Sequence, residues 1–215
     1  MFDFPVGIIP SLVLWGTVLV IVAVALIIFF AARRQRAVLE AWDQLSLRTG
    51  LLLERGKGIR RRASLSGDYR RRPLTLTTYV VDSGESSAIY TLISAGVQNS
   101  AGGFFQLSPA GILSKLGEAL GIQDVKIGDD AFDQRYVVKS KPPEFALGLL
   151  GESDMLRHDL MAKVKKNAVI KLEGRQLTYT CIGQEKDVDY LEALFNLLCD
   201  IADRVDGSAE SEEEF

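Results

Sequence analysis

Histidine occurs once in this chain of 215 residues, as His158, and cysteine twice, as Cys181 and Cys199. With one imidazole, any Ser-His-Asp constellation or histidine metal site depends on His158 alone, and its neighbours Arg157 and Asp159 suit an exposed helix face better than a catalytic one. Two cysteines make no disulfide framework. Each lies in an apolar run, Tyr179 to Ile182 and Leu197 to Ile201, as expected of reduced, buried thiols. Lysine and arginine are absent before Arg33. A glycine-rich phosphate loop is also missing, because Gly56-Lys57-Gly58 has neither the spacing nor the hydroxyl of a P-loop and suits a turn.

The apolar residues, by contrast, are concentrated at one end. From Ser11 to Ala32 run 22 residues without a charge, with hydroxyls only at Ser11 and Thr17. As a helix this run is about 33 Å long, which matches a hydrocarbon core of about 30 Å. Trp15 suits the headgroup level, and Pro5 and Pro10 stand where a helix starts. A cleavable signal peptide would need a basic n-region and a cleavage site. The segment Met1 to Pro10 instead carries Asp3 and no basic residue, and the run is followed by Arg33, Arg34, Gln35 and Arg36, a stop-transfer pattern. The expectation is a retained single span over 11–32 behind a short tail over 1–10. The charge imbalance across it puts the N-terminus outside and the large C-terminal domain on the cytoplasmic side of the cell membrane.

The remaining length, about 180 residues, suits one soluble domain. Helical spacing of Val38, Leu39, Trp42 and Leu45 extends a juxtamembrane helix over 33–50 until Gly50 stops it. Short β-type runs then follow, Leu51 to Leu53, Ala63 to Ser66, Leu74 to Val81 and Ile89 to Val97. Gly67-Asp68 and Asp82-Ser83-Gly84 serve as hairpin connections, which makes an antiparallel meander. Gln98 to Gly103 is a loop, and Pro109 to Leu120 has helical spacing. Strands at Asp124 to Gly128 and Arg135 to Lys139 come next. Helices follow from Pro142-Pro143 to Leu150 and from Asp154 to Lys166, and then a hairpin of Val169 to Leu172 with Leu177 to Cys181. Val188, Leu191, Phe195, Leu198, Ala202 and Val205 recur at steps of three and four behind a capping Asp187, as in a helix packed on a sheet. Asp206 to Phe215 is acidic and is expected to be a disordered tail after a soluble domain over 51–205. The fold class is α+β: an N-terminal transmembrane helix, one domain with an antiparallel sheet, and a C-terminal packing helix.

Several of these segments together resemble a family. Gly67 and Tyr69 in a hairpin, Ile127-Gly128-Asp129 with Phe132-Asp133, the strand Tyr136 to Ser140, a Leu-Leu helix through Leu150, and the closing Gly174-Arg175-x-Leu177-x-Tyr179 hairpin look like an uncharacterised family of prokaryotic membrane-anchored proteins of unknown function. The resemblance spans roughly Leu51 to Val205. It implies the architecture and carries no catalytic residues.

Two clusters are candidates for chemistry. Asp129, Asp130 and Asp133 form an Asp-Asp-x-x-Asp string that could hold Mg²⁺ against a phosphorylated or lipid substrate. The competing expectation is an acidic turn in which Asp129 or Asp133 accepts hydrogen bonds from nearby backbone N–H groups. Arg61-Arg62-Ala63-Ser64 has the pattern of a basophilic kinase site, common by chance, on a residue expected to lie in a strand.

The second cluster is basic. Between Arg33 and Arg72 stand 12 basic residues against 4 acidic ones, a net of +8, which leaves −11 for the rest of a chain whose total is −3. Juxtamembrane arginines attract anionic lipid headgroups at about 1 kcal/mol each. Arg33, Arg34, Arg36, Arg60, Arg61, Arg62, Arg70, Arg71 and Arg72 are therefore candidates to face headgroups or a protein partner. The alternative is that they are solvated strand faces and hairpin tips, some paired with the acidic C-terminal part. Without aromatic interleaving, and with an acidic domain, nucleic acid is not expected as a partner. No cofactor is expected either. The function that follows is a non-enzymatic cytoplasmic interaction module facing the membrane surface, with a metal-dependent enzyme using the aspartate string as the alternative.

Overall fold

The computed structural model describes residues 8–56, 62–84, 86–98, 103–110 and 123–213. The chain divides into two compact units, Met1–Glu40 and Ala41–Phe215. A single helix, α1 (Ile8–Thr49), runs through the boundary without a break. Within its first unit, the side chains from Trp15 to Phe30 are exposed throughout, with Leu19, Ile21, Ile27 and Phe29 among them. This is one helix long and apolar enough to cross a membrane.

In the second unit the end of α1 is core material. Trp42 and Leu45, one turn apart, are buried. Gly50 ends the helix in a left-handed conformation (φ 74°) that L side chains disfavour, its N–H donating to the Ser46 carbonyl at 2.9 Å.

The described residues build one wholly antiparallel sheet of nine strands: β1 (Leu52–Glu54), β2 (Ser64–Tyr69), β3 (Arg72–Asp82), β4 (Ser87–Gly96), β5 (Phe104–Pro109), β6 (Gln123–Val125), β7 (Tyr136–Lys141), β8 (Ala168–Glu173) and β9 (Gln176–Ile182). Their spatial order is β1-β2-β3-β4-β9-β8-β5-β7-β6. The meander β1 to β4 and the hairpin β8–β9 are local pairings that alternation and turn chemistry encode. The joins β4–β9 and β5–β8 bring together segments far apart in sequence, and no local pattern announces them.

One face of the sheet is core. Leu74 and Leu76 of β3, Ile93 and Ala95 of β4, and Leu177 and Tyr179 of β9 are buried there, and α5 (Val188–Glu213) packs on β4 and β9. Its stripe Leu191, Leu194, Phe195, Leu198, Ile201, Ala202 and Val205 is buried as the spacing requires, and Asp187 caps it by accepting from the Tyr190 N–H at 3.0 Å. On the opposite face, Thr75, Thr77, Leu92, Ser94, Thr178 and Thr180 stay half-exposed.

Among the described residues three short helices join the sheet and α5: α2 (Asp130–Arg135), α3 (Pro143–Ala146), which continues into a wider π-turn over Leu147–Gly151, and α4 (Asp154–Lys163). Ser153 caps α4, and Tyr136 ties it to the sheet by donating to the Leu160 carbonyl.

The structure corrects two expectations. Gly67-Asp68 is not a connection but lies inside β2, where Gly67 is opposite Leu74. A Cβ on Gly67 would stand 3.2 Å from Leu51 Cδ2, so this glycine admits Leu51 instead of turning the chain. The turn falls at Arg70-Arg71, closed by the Tyr69–Arg72 pair. Second, α5 continues as helix to Glu213, past the Asp206 at which composition alone suggests disorder. Asp206 is fastened by Arg72, an ion pair invisible to local composition. The helix expected from Pro109 to Leu120 falls beyond Ala110 outside the described residues, as do parts of the Gln98–Gly103 loop and of the Gly56-Lys57-Gly58 turn.

Candidate functional site

The aspartate string is built into local structure. Asp129 caps α2, its Oδ1 accepting from the N–H groups of Ala131 and Phe132 at 3.1 Å each, while its Oδ2 accepts from Arg157 Nε at 3.2 Å. The Phe132 N–H foremost, with Arg157 behind it, holds the Asp129 carboxyl below the usual carboxylate range. Asp133 turns back the other way and accepts from the Ile127 and Gly128 N–H groups. Asp130 is exposed in the first turn of α2. Among the described residues no group of three or more His, Cys, Asp or Glu side chains is placed to hold a metal ion. His158 is exposed on α4, and Ser64, half-buried, opens β2. Cys181 and Cys199 are buried, free thiols, pushed up in pKa by that burial.

The basic cluster separates into groups at opposite ends of the sheet. At one end lies the Arg70-Arg71 turn, with both residues at positive φ (51° and 64°). Arg70 reaches α5, donating to Asp200 Oδ1 at 2.7 Å and Asp203 Oδ2 at 3.3 Å. Arg72 is 6% exposed and holds Asp203 and Asp206 at 2.5 Å each, together with the Gly96 carbonyl. Burial opposes the charged form of Arg72, but the two carboxylates outweigh it and its pKa is raised. Arg70 and Arg72 thus latch the far half of α5 to the β2–β3 turn, while Arg71 is exposed. Asp200 and Asp203 also border an open groove of about 410 Å³ between α4 and α5, with Met155, Leu156, Asp159 and Arg204. It shares these carboxylates with the latch.

At the other end, the chain enters the unit. Trp42 Nε1 donates to the Glu185 carbonyl at 3.0 Å, and the Glu185 N–H donates to Thr91 Oγ1, also at 3.0 Å. Thr91 pairs with Thr78, six residues along β3 from Arg72, or about 20 Å of strand. Arg55 and Arg62, which flank the β1–β2 connection, belong to this end. Arg62 is exposed, and Arg55 pairs with Asp43 at 3.2 Å. Arg60 and Arg61 fall outside the described residues. Arg33, Arg34 and Arg36 are exposed on α1 in the first unit.

The sequence pattern gave no hint of a feature at the entry end. The β3–β4 hairpin is longer than its neighbours: β2 leaves β3 at Thr77, and β9 leaves β4 at Tyr90. On the sheet face away from the core, Tyr79, Tyr90 and Ile182 stand abreast in one row, with the two tyrosine rings stacked at 5.3 Å. Val81 lies one step further along that face. Ile182 is 53% and Val81 41% exposed, and Tyr79, Val80 and Ile89 are exposed as well. Alternation marks these residues as strand, but only the mismatch in strand lengths leaves them uncovered.

No family model matches this chain, and no curated protein does. Among solved structures, the crystal structure of the mycobacterial trehalose monomycolate transport factor A, TtfA, is similar in fold, with a TM-score of 0.52 over 80% of this chain and 93% of that one at 13% sequence identity.

Proposed function

We propose that this chain is a single-pass, membrane-anchored, non-enzymatic interaction module whose C-terminal domain lies on the cytoplasmic side. The observation that carries this is the helix from Trp15 on: apolar, uncovered, and followed by Arg33, Arg34 and Arg36 where the N-terminal side has only Asp3. The carboxylates that an enzyme would need support the same reading, since Asp129 and Asp133 are taken up by backbone N–H groups. The neighbour's description as a transport factor is in keeping with a non-catalytic role beside a membrane. Membership of the uncharacterised prokaryotic family that the motifs resemble belongs to this proposal, as does a protein partner.

Topology is tested with a Glu210→Cys variant in intact cells. An impermeant thiol reagent is expected to leave it unmodified until the membrane is permeabilised, and modification beforehand would reverse the side. Calorimetry tests the absence of metal chemistry: Mg²⁺ or Mn²⁺ uptake that disappears in Asp130→Ala would overturn it. Affinity capture of the intact protein from membranes then identifies the partner.

A further inference from the structure

We infer that the projecting part of the β3–β4 hairpin is a second membrane contact, with Tyr79, Val81, Tyr90 and Ile182 resting side-on in the headgroup boundary of the bilayer that holds the anchor. The inference deepens the tethered-module reading and rests on it.

Three observations converge. These four side chains share one sheet face, with Tyr79, Val81 and Ile182 exposed and Tyr90 half-buried between them, so a flat surface can cover them together. Tyrosine beside aliphatic residues is the composition that membrane interfaces favour, the ring apolar and the phenol wet. The row also lies at the end where the chain enters: Trp42 is two hydrogen bonds from Thr91, next in sequence to Tyr90. The hairpin extends four residues, about 13 Å, from the Thr78–Thr91 pair to the Asp82–Ser87 pair.

Charge and shape select lipid over other occupants. The hairpin ends in Asp82, Ser83 and Ser87, so the tip stays in water and contact is made by the flank. Arg62, exposed two residues before β2 begins at Ser64, is a cation at the same end of the sheet for anionic headgroups. A stable dimer uses roughly 20–30 residues a side, and this row has far fewer.

The test uses the full chain reconstituted in phosphatidylcholine–phosphatidylglycerol vesicles. Cys181 and Cys199 are buried, so a bimane label can be directed to Val81→Cys and, separately, to Ile182→Cys, with Arg71→Cys at the far end of the sheet as the reference. Lipids carrying a shallow nitroxide are expected to quench positions 81 and 182 several-fold more than position 71. Equal quenching at all three, or a label at 81 and 182 that is shielded from water yet not quenched, as packing against a second copy would produce, overturns the inference. Loss of the tethered-module reading is seen separately, as release of the full chain from vesicles by alkaline carbonate.

Discussion

Arg72 shows how one side chain organises its surroundings. Its guanidinium is nearly enclosed and neutralises Asp206, whose side chain is only 14% exposed. Removing it leaves a little-exposed carboxylate without its cation, although Asp206 Oδ1 still accepts from the Gln98 N–H, so Arg72→Ala is expected to cost about 3 kcal/mol, seen as a lower midpoint in urea unfolding, with Arg72→Lys recovering part of the loss. The adjacent turn behaves differently. Arg71 sits at φ 64°, a conformation costly for L residues, and its side chain is exposed. Arg71→Gly should therefore raise stability by about 0.5–1 kcal/mol, whereas Arg70→Gly relieves the same strain but loses the ion pairs to Asp200 and Asp203 and shows no such gain. Asp129 has a depressed folded-state pKa, so its contribution is present above the unfolded carboxylate value of about 4 and is lost as pH falls through its lower folded value. Acid titration of unfolding should show the wild type ahead of Asp129→Asn at neutral pH, with the gap closing below about pH 4.

At the scale of elements, backbone contact between strands is as restrictive as side-chain packing. Gly96 faces Pro73 across β3 and β4, and a Cβ there would stand 2.5 Å from the proline Cγ. A ring fixed to its own backbone cannot swing aside, so Gly96→Ala must part the strands at a cost of about 2 kcal/mol, measurable by chemical denaturation. The start of α5 is a more local matter. Loss of the cap in Asp187→Ala frees the Tyr190 N–H at an exposed position and should cost about 1 kcal/mol without altering the sheet. The helix is held along its length by apolar burial and at its far half by the arginine latch, so fraying at its start remains local.

For the molecule as a whole, the distribution of charge has two roles that one-dimensional counting merges. Twelve basic residues fall between Arg33 and Arg72, yet Arg70 and Arg72 lie about 20 Å of strand from the row nearest the entry of the chain and are joined to α5. The internal ion pairs between the basic stretch and the acidic C-terminal helix account for part of the polarity along the sequence. Within the first unit Arg33, Arg34 and Arg36 are exposed, and within the second Arg62 is exposed while Arg55 pairs with Asp43. Because Ala41–Phe215 is a compact unit with its own core, a fragment beginning at Ala41 is expected to unfold cooperatively and to leave the membrane fraction. A fragment that stays in the pellet in the presence of alkaline carbonate would contradict a single anchoring span.

Sequence by itself determined what depends on neighbours along the chain. The apolar helix follows from 22 uncharged residues, α5 from its three-and-four spacing behind Asp187, and the β3–β4 and β8–β9 hairpins from alternation around short polar connections. The acidic turn at Asp129 was one of two legible alternatives, because capping also depends on adjacent backbone. Tertiary structure decided what depends on distant partners. It inserted the β8–β9 hairpin between β4 and β5, moved the first turn from Gly67-Asp68 to Arg70-Arg71, and kept α5 helical past Asp206. It also left Tyr79, Val81 and Ile182 uncovered, since exposure there is set by where β2 and β9 stop, a property of other segments.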